Sequence, residues 1–232
     1  MQLQRARCSS EPSLDPRAPR HWQDVAQGAQ QDLAEALASA ARGGRLNRQT
    51  YQHWLAMESA VCRLNALALD AVAEWHVSQP HLRSVVHAWA TAMRDDALLA
   101  AADVRAIDGM AGATPQPLVP WQGFLEAACR SSRVGEALGA VVLHATLLRG
   151  PVRSMIPAIT QLPFVPPRGS RYLVQRTHAH ARPITQEREA LIDGYSATAL
   201  AVGAQRAAAW HRAALEMVLR APLGEARLTH AS

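Results

Sequence analysis

The stretch Gly135–Gln161, GEALGAVVLHATLLRGPVRSMIPAITQ, decides how this chain is read. From Ala137 to Leu148 it is apolar around the whole helical barrel except at His144 and Thr146, the pattern of a helix buried on more than one side. Gly150-Pro151 interrupts the run, because proline has no N–H to offer the preceding turn and its ring clashes with it. A second short helical pattern then resumes. The stretch predicts a broken helix that is either a bend in a core or the wall of a pocket, with one histidine able to face inward.

The rest of the composition agrees with a helical reading. Nearly half of the 232 residues are apolar, and aromatic residues make up 5%. The apolar residues are chiefly alanine and leucine, strong helix formers and poor strand formers. A chain of this length buries most of its unfolded surface in one core, which predicts a single domain. All 24 basic residues are arginine. Without lysine the chain cannot form a Schiff base, attach pyridoxal phosphate or build a Walker A phosphate loop. The net charge of +5 fits nucleic acid or anionic ligands equally. Cys8, Cys62 and Cys129 form no C-x-x-C pair and leave an odd count, as expected in a reducing compartment. No secretory h-region and no apolar run of the roughly 20 residues a membrane span needs are found. A soluble, cytoplasmic protein with no membrane partner is therefore expected.

Residues 1–20 are rich in Arg, Ser and Pro and read as a disordered arm, 21–220 as the helical domain and 221–232 as a tail. A first helix is predicted from about His21 to Ala41, ended by Gly43-Gly44. Asn47 is a good N-cap for a long second helix reaching about Val77. Pro80 opens a third that runs towards Ile107. The Gly/Pro-rich segment Gly109–Pro120 reads as loop, followed by a short helix over Trp121–Ser131 and the broken pair over 133–149 and 151–161. Leu162–Pro183 reads as a long irregular segment with an extended piece at Tyr172–Gln175. The last helix is predicted from about Thr185 to Leu219.

Three segments carry a resemblance: GGRLNRQTYQHWLAMESAV (Gly43–Val61), GEALGAVVLHATLLRGPVRSMIPAI (Gly135–Ile159) and EREALIDGYSATALAVGAQRAAAW (Glu187–Trp210). Together they cover under a third of the chain, and their order resembles the haem-oxygenase-like superfamily. The resemblance implies an all-α single-domain bundle of about seven helices, kinked at Gly150-Pro151. It also implies haem (tetrapyrrole) binding, with oxidative cleavage to biliverdin as the associated activity. That superfamily further includes thiaminase-II-like enzymes, pyrroloquinoline-quinone-synthase-like proteins and non-haem di-iron oxidases, so a small heterocyclic ligand is the alternative. In haem oxygenases the first helix supplies a proximal histidine some four turns before the turn matched by Gly43-Gly44. The corresponding positions here are Ala29, Gln30 and Gln31, and a neutral amide is a poor iron ligand beside imidazole. His21 lies about two turns earlier. Gly150 matches one of the glycines that bring backbone close to haem, and Arg149 and Arg153 would pair with its propionates.

Other residues are read on their own chemistry. Glu58 and Asn65 are seven apart and share the face that carries Trp54, Leu55, Val61 and Cys62. Glu58 is then a pocket acid or metal ligand, or else it is bonded to an arginine of a neighbouring helix or turned to the solvent edge. His144 is a ligand or general base, or a core histidine donating to a carbonyl or a tyrosine. The small residues Gly194–Ala204 allow either close helix packing or room for a flat ligand, and Tyr195 among them hydrogen-bonds a ligand or anchors the core. Ten histidines invite a metal reading, but Glu58 is followed one turn on by Val61 rather than histidine, and no Glu-x-x-His pairs arise. The basic loop Arg168, Arg171, Arg176 and Arg182 with Tyr172 is a candidate acidic-ligand surface. No helix-turn-helix or zinc module accompanies it, so nucleic acid is not the expected partner. The expected partners are a small-molecule ligand or haem, with a homodimer or a protein partner as the non-catalytic alternative.

Overall fold

Gly43-Gly44 ends the first helix, α1 (Trp22–Arg42), and the backbone doubles back through Arg45 and Leu46, whose amides both reach the Ala40 carbonyl at 2.8 and 3.1 Å. Asn47 then caps α2 (Arg48–Trp75) as expected. Its Oδ1 accepts from the Thr50 amide at 3.1 Å, and Thr50 Oγ1 accepts from the Asn47 amide at 2.9 Å, a reciprocal box that satisfies two otherwise orphaned donors. The chain continues through α3 (Pro80–Ala106), α4 (Leu118–Cys129), α5 (Val134–Thr146) and α6 (Gly150–Thr160). A 3-10 turn at Pro167–Gly169 leads into α7 (Arg171–Ala179), followed by α8 (Gln186–Asp193) and α9 (Ala197–Arg220).

This computed structural model describes residues 21–107, 118–179 and 186–220. The expected N-terminal arm, the C-terminal tail, most of the Gly109–Pro120 loop and Arg182 lie outside the described residues. Within them the chain is an all-α bundle of nine helices with no strand.

α5 is the centre of the bundle. Of its residues, all but Glu136 and Ala145 are buried, which is what its all-round apolar sequence dictates. α9 lies along α5 and also against α1, and α2 pairs extensively with α3. The α5–α9 approach is backbone to backbone: a methyl group at Gly139 would overlap the Leu200 carbonyl, and one at Gly203 the Glu136 carbonyl. The small residues of the last helix therefore serve close packing. Between α5 and α6 the break falls where expected. Gly150 adopts φ +55°, a left-handed conformation costly for residues with a Cβ, and Pro151 follows it in the first turn of α6.

Two expectations are corrected. The segment read as irregular, with an extended piece at Tyr172–Gln175, contains α7. Its start is held from α3: Asp103 Oδ2 accepts the Tyr172 amide at 2.7 Å and Oδ1 accepts from Arg171 Nε at 3.2 Å. The long last helix is two helices, parted at Gly194-Tyr195-Ser196, where glycine and serine weaken the helix and the Tyr195 amide turns back to the Ile192 carbonyl at 3.0 Å.

Candidate functional site

On α2, Trp54, Glu58, Cys62 and Asn65 follow one another at helical spacing on the buried face. Burying a carboxylate costs several kcal/mol unless its oxygens are met by donors. Glu58, 6% exposed, meets three: Trp54 Nε1 donates to Oε1 at 3.2 Å, Tyr172 Oη to Oε2 at 2.7 Å, and His144 Nε2 to Oε2 at 3.1 Å. A carboxylate only accepts, so the contact assigns a proton to His144 Nε2. Burial by itself raises the Glu58 pKa. The hydrogen bonds of His144 and Tyr172 and the influence of both histidines outweigh it and bring the group down to about 2.

Two of the donors come from further helices. His144 stands on α5 and Tyr172 on α7. Arg176, one turn beyond Tyr172, is buried and donates to Asp96 Oδ2 on α3 and to the His144 carbonyl, both at 3.0 Å. Cys62 Sγ lies 3.9 Å from Tyr172 Oη, and burial pushes the pKa of that thiol, like that of the phenol, upward. On the far side of His144, the ring of His211 from α9 stacks upon it, with centroids 5.3 Å apart and planes within 8°. Trp121 and Trp210, themselves stacked at 4.9 Å, close around His211. Burial first, and the neighbouring His144 second, lower the His211 pKa from 6.5 to about 3, so this imidazole is neutral.

Beside this cluster a cavity of about 330 Å³ opens between α1, α2 and α9. It stands at the lower end of the roughly 300–1,000 Å³ typical of small-ligand sites. Glu58, Trp54 and His211 form part of its wall, with Leu33, Met57 and Leu215 supplying apolar surface. His211 is 8% exposed, and among the described residues its Nε2 has no hydrogen-bond partner. Buried polar atoms of this kind cost about 1–3 kcal/mol and mark places where a partner is wanted.

The residues singled out in the sequence distribute unevenly. Glu58 and His144 come together directly, and Glu58 finds tryptophan, tyrosine and histidine rather than an arginine. Gln30, on α1 but not on the cavity wall, donates to the Thr146 carbonyl at 3.0 Å, and its Oε1 lies where a Gly150 Cβ would project. Arg149 is half-buried and Arg153 exposed, and neither borders the cavity. Tyr195 stands apart, bonded at 2.8 Å to His76 Nε2 at the end of α2. Tyr172 and Arg176 of the basic loop turn inward and so leave the expected acidic-ligand surface. Asn65 is fully buried with neither amide atom partnered. Sequence reasoning missed Asp96 and His211, and it read Tyr172 and Arg176 as a basic loop surface rather than as partners of the buried cluster. Only Trp54, one turn before Glu58, carried a local signal as a donor.

The position matched to the proximal ligand supplies no imidazole for haem iron. Gln30 there joins α1 directly to the end of α5 through the Thr146 carbonyl, and His21 is exposed. Among the described residues no three His, Cys, Asp or Glu side chains gather as a metal-binding group, and no helix is long and apolar enough to cross a membrane. In comparisons with known proteins, the chain matches no family model, no curated protein and no solved structure.

Proposed function

We propose that this chain binds a small organic molecule in the cavity between α1, α2 and α9. The observation that carries the reading is the cavity wall itself, where the buried, triply hydrogen-bonded Glu58 stands near His211, whose Nε2 has no partner among the described residues, on a wall that mixes apolar side chains with Asp32, Glu35, Arg212 and Glu216. Proton-transfer catalysts work best with a pKa near the operating pH. Glu58 at about 2 and His211 at about 3 both lie far below neutrality. The pair is suited to holding a ligand in place, with Glu58 as a fixed negative charge and His211 as a neutral hydrogen-bonding group.

The test is a fragment screen by ¹H–¹⁵N NMR, in wild type and in Ala208→Phe, which fills the cavity from α9. Saturable shifts at Leu33, Met57 and Leu215 that disappear in Ala208→Phe are expected. Shifts confined to other parts of the bundle, or unchanged by Ala208→Phe, would overturn the reading. Hemin serves as the contrasting ligand: the expected spectrum is that of free hemin, and a shifted Soret band abolished by Ala208→Phe would reassign the cavity to a tetrapyrrole.

A further inference from the structure

Resting on that binding reading, we infer that the ligand is a small organic cation presenting at least two N–H donors on an apolar body, such as an amidinium or a primary ammonium. Four carboxylates border the cavity: Asp32, Glu35, Glu58 and Glu216. Asp32 is ion-paired with Arg212, and Glu216 with Arg220 at 2.9 Å. Among the described residues Glu35 accepts only from the neutral amide of Gln31 at 2.8 Å, and no guanidinium is hydrogen-bonded to Glu58. Among the described residues neither of these two carboxylates is hydrogen-bonded to an arginine, although Glu58 contacts His144 and lies within electrostatic reach of Arg176, in a chain whose net charge is +5 and whose Lys/Arg cations are all arginine. Arg212, paired with Asp32, is the one arginine on this wall against four carboxylates, so the cavity is acidic in a chain of opposite net charge, and an excess of one sign concentrates ions of the other.

The hydrogen-bond count specifies the ligand further. A carboxylate offers about four lone-pair positions. Tyr172 and His144 take two on Glu58 Oε2, while Trp54 takes one on Oε1, leaving one acceptor position. His211 is more than nine-tenths buried, borders the cavity and leaves Nε2 unpartnered. In the tautomer with its proton on Nδ1, the neutral ring accepts at Nε2 and supplies a second acceptor. An anion would meet Glu35 and Glu58 with like charge, and a hydrocarbon would leave both acceptors bare. At the roughly 30 Å³ that a water occupies in the liquid, the volume holds on the order of ten non-hydrogen atoms. That is one ring and its polar head.

Benzamidine, benzamide and benzoate share this size and differ in charge, so each is titrated into ¹⁵N-labelled protein at neutral pH and low salt. Benzamidine is expected to bind at least tenfold more tightly than benzamide, with benzoate weakest and the shifts centred on Leu33, Met57 and Leu215. Glu58→Gln should cut the benzamidine preference about tenfold. Glu35→Gln, at an exposed position that leaves the core intact, should weaken benzamidine severalfold without changing benzamide, and it carries the test if Glu58→Gln fails to fold. Benzamide or benzoate binding as tightly as benzamidine would overturn the cation inference and leave the binding reading standing. If none of the three shifts the cavity residues, both fall.

Discussion

Glu58 and Asn65 look alike in the sequence, two polar residues seven apart on one apolar face, yet the fold treats them oppositely. Three donors from α2, α5 and α7 converge on Glu58, whereas both amide atoms of Asn65 lack a partner among the described residues. An unsatisfied buried amide costs about 1–3 kcal/mol, and replacing it by an apolar group of similar shape removes that cost. Asn65→Leu is therefore expected to raise stability by about 1–2 kcal/mol, read as a higher urea midpoint at unchanged slope. The sequence shows that an inward carboxylate must be met. Which groups meet it depends on Tyr172 and His144, 114 and 86 residues away in the chain, and no local pattern encodes that distance.

At the level of elements, α5 and α9 touch through backbone at Gly139 and Gly203. Gly139→Ala would drive its new methyl into the Leu200 carbonyl, so a loss of at least about 1–3 kcal/mol is expected in denaturant unfolding. Gly28→Ala on α1, where nothing lies within 4 Å, is the matched control and should gain about 0.5–1 kcal/mol from helix propensity alone. Elements with local punctuation were legible before the structure: Gly43-Gly44, the Asn47 cap and the Gly150-Pro151 break all fall where their chemistry puts them. α7 was not, because its first turn is fixed by Asp103, 69 residues before Tyr172, rather than by a cap of its own. The parting of α8 from α9 rests on Gly194 and Ser196, residues that a small-residue helix pattern absorbs without signalling a stop.

For the molecule as a whole, the internal polar cluster sets the response to acid. His211 falls from 6.5 in the open chain to about 3 in the fold, and Glu58 from 4.5 to about 2. In both windows the unfolded chain binds more protons than the native one, so stability rises with pH there. Stability at these groups is complete above about pH 6.5 and declines from there to about pH 2. Urea midpoints measured against pH should fall already between 6.5 and 4.5, where Glu58 is still ionised in both states. His211→Phe should flatten that upper part and reduce the slope between pH 4.5 and 3, leaving the Glu58 contribution down to about pH 2. The same cluster has an optical consequence. Trp54 borders the cavity with its N–H on Glu58, while Trp121 and Trp210 enclose His211. Indole emission responds to the hydrogen bonding and polarity of its surroundings, and three of the six tryptophans stand at the places where a ligand or a proton would arrive. The molecule thus carries its own fluorescent reporter, and occupancy of the cavity can be followed in the native chain without a label.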